Sequence, residues 1–393
     1  MKILVLAWEF PPRIVGGIAR HVAELYPEVI KLGHEIHLIT IEFSSTPRYE
    51  IVEGIHLYRC HVAHGNDFFH WVANMNDSMG CIGGKLLTKH GDFDLIHAHD
   101  WLVGDAAIAL KNNFKIPIVA TIHATEYGRY NGIHTANQHY IYGKEKLLTH
   151  EAWRIIVCSQ YMRQEIQRVF QSPEDKLDVI YNGIRPEKKH HNFEQIKFRR
   201  RFANDQEKIV YYVGRMTYEK GISVLLNAAP KILSELANNV KFVIIGGGNT
   251  SHLKYQADYL GIAEQCYFTG FMSDTDLDKF QTIADCAVFP SLYEPFGIVA
   301  LESFAARVPV VVSNTGGLSE VVQHNYTGIV TQANDVDSLT WGILEVLNNP
   351  AHSRYLVENA YKSIAKRFSW DDLAKQTIEV YNQVAKERSQ VKW

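Results

Sequence analysis

Short apolar runs alternate along the chain with stretches whose apolar positions recur at helical spacing. That alternation builds βα units around parallel sheets. Ile3–Trp8 reads as a first strand, followed by a loop to Gly17, a helix over Ile18–Lys31 and a stop at Gly33. Further strands are expected at His37–Ile41, Leu95–Ala98, Ile118–Ile122, Ile155–Cys158 and Leu177–Ile180, with Ser159 placed to cap a helix. Asn182-Gly183 then breaks the pattern, and Pro186, Lys188, Lys189, His190 and His191 form a polar stretch taken as a domain boundary. The same grammar restarts with strands expected at Ile209–Val213, Phe242–Ile245, Cys266–Thr269, Ala287–Phe289 and Val310–Val312. After about residue 334 the pattern is helical to the end, and Ser369 before Trp370-Asp371-Asp372 marks a last helix start. The expected fold class is α/β: two doubly wound domains, 1–185 and 186–369, facing across a cleft. Ligands in such sheets bind at the strand carboxyl ends.

Composition narrows the function classes. A chain of 393 residues suits two or three domains and needs no disulfide or structural metal to bury a core. Lys and Arg number 40 against 43 Asp and Glu, a net charge of -3 that argues against a nucleic-acid partner held by phosphate neutralisation. The five cysteines (Cys60, Cys81, Cys158, Cys266, Cys286) are scattered with no CxxC, which fits a reducing, cytoplasmic location. The apolar start ending at Glu9 is too short for a signal peptide, and no run reaches the roughly 18 apolar residues of a membrane span. Peripheral contact with a membrane stays open. The basic run Lys197-Phe198-Arg199-Arg200-Arg201 reads as an exposed helix face.

The strongest local signal is Ser291-Leu292-Tyr293-Glu294-Pro295-Phe296-Gly297-Ile298, with Glu302 eight residues after Glu294. Such a spacing alone is weak, because Glu pairs at this distance arise by chance. Its context is specific: an apolar strand, a Pro-Phe-Gly turn, then a helix. Glu294 falls in the loop at the strand end and Glu302 on the helix, while Gly297 permits close backbone approach beside free helix N–H groups. One carboxylate can grip a sugar hydroxyl and the other a ribose diol. A second signal, Gly214-Arg215-Met216-Thr217-Tyr218-Glu219-Lys220-Gly221, follows an apolar strand directly. It presents two cations suited to a diphosphate.

Weaker signals surround these two. Gly16-Gly17 and Thr315-Gly316-Gly317 lie between strand and helix, where bare N–H groups can meet an anion. Gly246-Gly247-Gly248 suggests a dinucleotide loop, but Ser251 stands where the fingerprint requires glycine. His97, His99 and Asp100-Trp101 end one strand and His123 the next, with Glu126 close behind. The His-x-His pair invites zinc, yet nothing local in the sequence supplies a third convergent ligand. Asp92-Phe93-Asp94, Asp274-Thr275-Asp276 and Asp335-Val336-Asp337 match the Asp-x-Asp of metal-using transferases. None is expected directly after an apolar strand, where a metal–diphosphate bridge would need it.

Together these residues resemble the retaining GT-B glycosyltransferases of group 1, or family 4, relatives of the bacterial and archaeal glycogen synthases. The resemblance runs over essentially the whole chain: the Gly16-Gly17 loop, the HAHDW segment ending at Trp101, His123, GRxxxxKG, EPFGxxxxE, the Thr315-Gly316-Gly317 loop and the FSW at Phe368. It implies two Rossmann-like domains, the donor mainly on the second and the acceptor mainly on the first. The last helix, about 370–393, would cross back to the first. By that resemblance Arg215 and Lys220 hold the donor diphosphate, beside Gly214. Glu294, with the backbone at Phe296, Gly297 and Ile298, orients the sugar, and Glu302 binds the ribose. Gly16, Gly17 and Thr315–Gly317 give N–H groups to phosphate oxygens. His123 contacts the sugar, and Asp100 and Glu126 lie on the acceptor side. No metal or other cofactor is implied: the nucleotide sugar is a co-substrate. The acceptor is a glycan or lipid-linked glycan.

One departure bears on the donor. Glycogen synthases carry Lys two positions before the Gly pair; here that position is Ile14, with Arg13 beside it. The expectation is therefore a retaining hexosyltransferase of polysaccharide assembly using UDP-glucose, with an ADP-glucose enzyme of glycogen synthase type as the alternative. A nucleotide-sugar epimerase and a non-catalytic sugar-binding protein are the remaining readings.

Overall fold

The computed structural model describes residues 1–185 and 193–393, so the polar stretch from Pro186 to His191 taken as a boundary lies outside the described residues. The chain forms two compact units, Met1–Gly183 with Trp370–Trp393, and Ile184–Ser369.

The first unit carries strands β1 (Lys2–Leu6), β2 (Glu35–Ile41), β3 (Tyr49–Val52), β4 (Ile55–Cys60), β5 (Leu95–His99), β6 (Ile118–Ile122), β7 (Arg154–Val157) and β8 (Leu177–Val179). Its helices are α1 (Gly17–Lys31), α2 (Phe68–His90), α3 (Gly104–Phe114), α4 (Glu126–Tyr130), α5 (Ala136–Glu151) and α6 (Gln160–Phe170). The strands form one sheet in the order β3-β4-β2-β1-β5-β6-β7-β8. All neighbours are parallel except the β3–β4 pair. Parallel strands covered on both faces need unbroken apolar runs, and β1 supplies one: Ile3, Leu4, Val5 and Leu6 are fully buried. β1 pairs with β2 on one side and β5 on the other. The strand order turns there, so the loops after β1 and β5 diverge and leave room for a ligand.

The second unit carries β9 (Lys208–Val213), β10 (Val240–Ile245), β11 (Cys266–Gly270), β12 (Cys286–Phe289), β13 (Val310–Ser313) and β14 (Ile329–Thr331). Its helices are α7 (Gln195–Arg199), α8 (Ile222–Glu235), α9 (Ser251–Tyr259), α10 (Asp274–Gln281), α11 (Ile298–Ala305), α12 (Leu318–Val321), α13 (Val336–Asn348) and α14 (Pro350–Arg367). This sheet is parallel in the order β11-β10-β9-β12-β13-β14. Its order turns between β9 and β12, and the two strongest sequence signals follow those two strands.

The last helix, α15 (Trp370–Gln390), packs in the first unit. Its Leu373, Ala374, Tyr381 and Val384 share a core with Val22, Leu25 and Tyr26 of α1. Each large apolar side chain sealed there contributes about 1.5–3 kcal/mol. Trp370 donates from Nε1 to Glu24 at 2.5 Å. A Cβ on Gly183 would lie 2.5 Å from the Trp370 ring, so only glycine lets the chain pass there.

The hydrophobic pattern did not predict β3, β4, β14, α2 or α5. β3 alternates exposed with half-buried positions at the sheet edge, and β14 has three residues. Arg199 of the basic run is not a free surface charge. It donates to the carbonyls of Ile283 and Glu207 and pairs with Asp285, fastening α7 to its own unit. Among the described residues, no helix is long and apolar enough to cross a membrane.

Candidate active site

In the second unit β9 ends at Val213 and the chain turns at Gly214, with φ +158. A Cβ there would sit 2.4 Å from the Tyr212 hydroxyl, which donates to the Arg215 carbonyl at 3.0 Å. The Gly214 N–H donates to Ile245 and the Met216 N–H to Gly247, joining the loops after β9 and β10. Gly246 is needed for this contact, since a Cβ would lie 1.8 Å from the Gly214 carbonyl oxygen. Gly248 is packed likewise, with an added Cβ 2.9 Å from Met216 Cβ, so packing accounts for the first and third glycines of the triplet.

One turn of 3-10 helix, Tyr218–Lys220, then stops at Gly221, with φ +65. A Cβ on Gly221 would lie 1.9 Å from the Pro290 carbonyl oxygen. The loop after β12 docks on this turn: Leu292 and Tyr293 donate their N–H groups to the Glu219 carbonyl at 2.8 and 3.2 Å. That backbone seam brings Lys220 Nζ to 2.8 Å from Glu294 Oε2, with both side chains mostly buried. Arg215 is half exposed and reaches Glu219 only at 3.4 Å, a contact worth little. The seam continues into the third loop. Gly317 donates its N–H to the Glu294 carbonyl at 2.9 Å, and a Cβ on Gly317 would lie 2.4 Å from the Pro295 carbonyl oxygen. Thr315 and Gly316, the latter at φ +54, complete that loop.

Gly297, at φ +106, is the N-cap of α11, whose first residue is Ile298. Phe296 is buried beneath it, and Glu302 is buried one turn into the helix. The structure therefore gathers Gly214, Arg215, Lys220, Glu294, Phe296, Gly297, Ile298, Glu302, Thr315, Gly316 and Gly317 at one end of one sheet. A cation, a carboxylate and the positive end of a helix converge there.

In the first unit β5 and β6 end in a histidine cluster. His97 is a satisfied core residue, bonded to Tyr381 at 2.5 Å, Thr121 at 2.7 Å and Tyr26 at 3.0 Å. His99 bonds Tyr26 at 2.6 Å and His123 at 3.1 Å. Asp100 sits at φ +62, a sparsely populated region for a residue with a Cβ. It is held there by its N–H on the Thr121 carbonyl and by its Oδ1, which accepts the His123 N–H at 2.7 Å. Burial pushes the Asp100 carboxyl up to about 6, against the His123 and Ala124 N–H groups and the Arg129 charge. Glu126 opens α4, buried, with its N–H donated to Glu145 at 2.9 Å.

Two expectations need correction, and the fold extends a third. The Gly16 N–H is not free for a phosphate: Glu9 Oε2 accepts it at 3.0 Å and the Val15 N–H at 2.6 Å. Glu9, overlooked in the sequence, thus occupies the anion position at the start of α1, where Gly17 is the first residue. Burial raises its carboxyl above the ordinary value. The third convergent ligand that nothing local in the sequence supplies comes from far along the chain. His21, from the middle of α1, brings a ring nitrogen within 4.8 Å of those of His99 and His123. His21 Nδ1 bonds Asn182 at 2.7 Å, and its Nε2 is buried with no hydrogen-bond partner among the described residues. Finally, two Asp-x-Asp runs do follow strands, Asp274 after β11 and Asp335 after β14. Asp335 caps α13 by accepting from Ser338, Asp337 pairs with Lys231 of α8, and Asp274 and Asp276 lie in the first turn of α10.

Burial holds His21 and His123 down to about 3, and lowers His97 and His99 as well. Below the ordinary imidazole value the unfolded chain takes up protons that these folded rings refuse, so stability falls as pH falls. At pH 5 the loss is about 2 kcal/mol for each of His21 and His123. Asp100 works in the opposite sense: it binds a proton while folded before the unfolded chain does, returning about 1 kcal/mol. Glu9 and Glu145, also raised by burial, act with it. The net expectation is a lower melting temperature at pH 5 than at pH 7.5. Calorimetry checks it, and an unchanged midpoint would contradict the buried neutral cluster.

Comparison with known proteins shows the family. Residues 15–188 match the description Glycosyltransferase Family 4, and residues 192–363 match Glycosyl transferases group 1. An uncharacterized glycosyltransferase of Methanocaldococcus jannaschii is 40% identical over 386 residues, covering 97% of this chain and 98% of its own. Glycogen synthase of Mycobacterium tuberculosis is 33% identical over 397 residues, covering 97% and 94%. Sucrose-phosphate synthase from Thermosynechococcus elongatus has the same fold, with TM-score 0.83 at 23% identity and 98% of both chains covered. HepE of Anabaena, solved with UDP and glucose, superposes with TM-score 0.75 at 20% identity, covering 98% and 100%. The chain belongs to the group 1 glycosyltransferases, enzymes of GT-B fold related to the glycogen synthases.

Proposed function

We propose that this glycosyltransferase is a cytoplasmic, retaining, metal-independent hexosyltransferase that moves glucose from UDP-glucose to a glycan or lipid-linked glycan in polysaccharide assembly. The observation that carries the reading is the Lys220–Glu294 contact at 2.8 Å, made where the loops after β9 and β12 meet. A lone buried carboxylate is costly and a lone buried ammonium equally so. Paired, they form a neutral contact that an incoming sugar diphosphate can exchange: Lys220 turns to the phosphate and Glu294 to a sugar hydroxyl.

In this reading Arg215 and Lys220 hold the diphosphate, assisted by N–H groups at Gly214 and Thr315–Gly317. Glu294 and the backbone at Phe296, Gly297 and Ile298 orient the sugar, and Glu302 grips the ribose. His123 contacts the sugar, while Asp100 and Glu126 serve the acceptor side. Gly17 remains a phosphate donor, and Gly16 becomes one only if Glu9 yields its N–H. The bond from the anomeric carbon to the diphosphate oxygen breaks as a bond from that carbon to the acceptor oxygen forms on the same face. The acceptor's proton passes to the departing phosphate oxygen. Lys220 and Arg215 stabilise the negative charge that grows there.

UDP-glucose and ADP-glucose, each supplied with glycan acceptors in EDTA, form the direct test. Transfer from UDP-glucose with retention and undiminished by EDTA is expected. Loss that returns with added metal would revive the His21–His99–His123 group. Preference for ADP-glucose would favour the second reading, a glycogen synthase, which the 33% identity to the mycobacterial enzyme supports. Glu302→Ala should weaken UDP binding about 10-fold, as loss of one charge-assisted hydrogen-bond partner does. Unchanged affinity by calorimetry would remove the ribose assignment.

A further inference from the structure

An aromatic surface in the first unit adjoins Asp100. Phe68 and Phe69 open α2, and Trp71 follows on the same turn. Phe68 lies with its ring centroid 6.1 Å from Trp71 and 6.3 Å from Trp101, the residue after Asp100. Phe69 lies 4.7 Å from Tyr140 of α5. Phe68 and Tyr140 are 51% and 43% exposed, so these rings do not serve only as core. The surface is rigidly built. Asp67 caps α2 by accepting the His70 N–H at 2.9 Å, and Gly65 packs so closely that a Cβ would lie 2.4 Å from the Trp71 nitrogen.

Exposed aromatic patches mark interaction sites, and the rim says what kind. A patch for an anionic membrane needs Lys and Arg around its aromatic rings. Between Arg59 and Lys85 this sequence has none, and it has Asp67 and Asp77. His64, Asn66, Asp67, His70 and His139 stand exposed around the rings and offer hydrogen-bonding groups, with His70 Nδ1 2.9 Å from Asp67. Lys144 stands over the Tyr140 ring at 5.3 Å but is paired with Asp105 at 2.7 Å. Sugar rings need this combination: flat faces for their C–H surfaces and short polar side chains for their hydroxyls.

We propose that Phe68, Trp71 and Tyr140 form a binding surface for a neutral oligosaccharide, the acceptor glycan itself, backed by the buried Trp101 and leading to Asp100. The inference rests on the transferase reading and specifies its acceptor class. Maltoheptaose and cellohexaose are the probes, titrated into the full chain with calorimetry and tryptophan emission as readouts. UDP is titrated in parallel. At least one sugar is expected to bind and shift the emission, with Phe68→Ala and Tyr140→Ala each weakening it 10-fold or more while UDP affinity stays unchanged. Tyr140→Phe, which keeps the ring, should retain most of the sugar affinity. Binding of neither sugar, or equal affinity in wild type and both alanine variants, would overturn the surface. Aromatic-dependent binding to phosphatidylglycerol vesicles without sugar binding would replace it with a membrane contact. Failure of the wild type to bind UDP would instead count against the UDP-glucose reading, so the two failures are separable.

Discussion

Replacing Lys220 with alanine is expected to lower turnover by about 10²–10³-fold, the usual cost of removing one group aimed at a developing oxyanion. The loss should appear in kcat as much as in kcat/KM, because the leaving diphosphate gains its extra charge in the transition state. The fold should survive. The variant leaves Glu294 without its 2.8 Å partner, but Ser291 Oγ stands 3.5 Å away and Glu294 keeps its backbone bond to Gly317. A stability loss of about 1–3 kcal/mol is expected from the unpaired carboxylate. Lys220→Arg should recover part of the rate by restoring the charge. Transfer near the wild-type rate in Lys220→Ala would remove the diphosphate role. Arg215→Ala should cost less, since Arg215 is half exposed and loosely held before a ligand arrives.

How much of this was legible beforehand depended on whether a feature was local. Apolar runs covered on both faces, such as Ile209–Val213 and Ala287–Phe289, announce themselves, and their ends place Lys220 and Glu294 at strand tips. The edge strand at Tyr49–Val52 shows no such run, because one side of it faces solvent. Contacts far apart in sequence were invisible. His21 looks like one polar position on an amphipathic helix, and only the sheet brings it to His99 and His123. Glu9 looked like the polar end of a strand. A carboxylate six or seven residues before a glycine pair at a helix start was the available signal, because bare N–H groups attract the nearest anion. The Lys220–Glu294 contact spans 74 residues and could not have been read from either motif alone.

The second large effect concerns glycine. Gly221→Ala is expected to abolish transfer and to destabilise the second unit by about 3 kcal/mol or more, combining a left-handed strain of about 1 kcal/mol with a steric clash. At φ +65 its added Cβ would sit 1.9 Å from the Pro290 carbonyl oxygen, backbone that cannot swing aside as a side chain could. The loop after β12 would have to retreat, taking with it the Leu292 and Tyr293 N–H bonds to Glu219 and the seam that holds Lys220 to Glu294. Gly247→Ala is the matched control: none of the described residues lies within 4 Å of its added Cβ, so stability and rate should stay near wild type. Denaturant unfolding and transfer assays on both variants decide the matter. If Gly221→Ala folds with wild-type stability and transfers sugar normally, the two loops tolerate separation, and the rigid seam is not what prepares the diphosphate site.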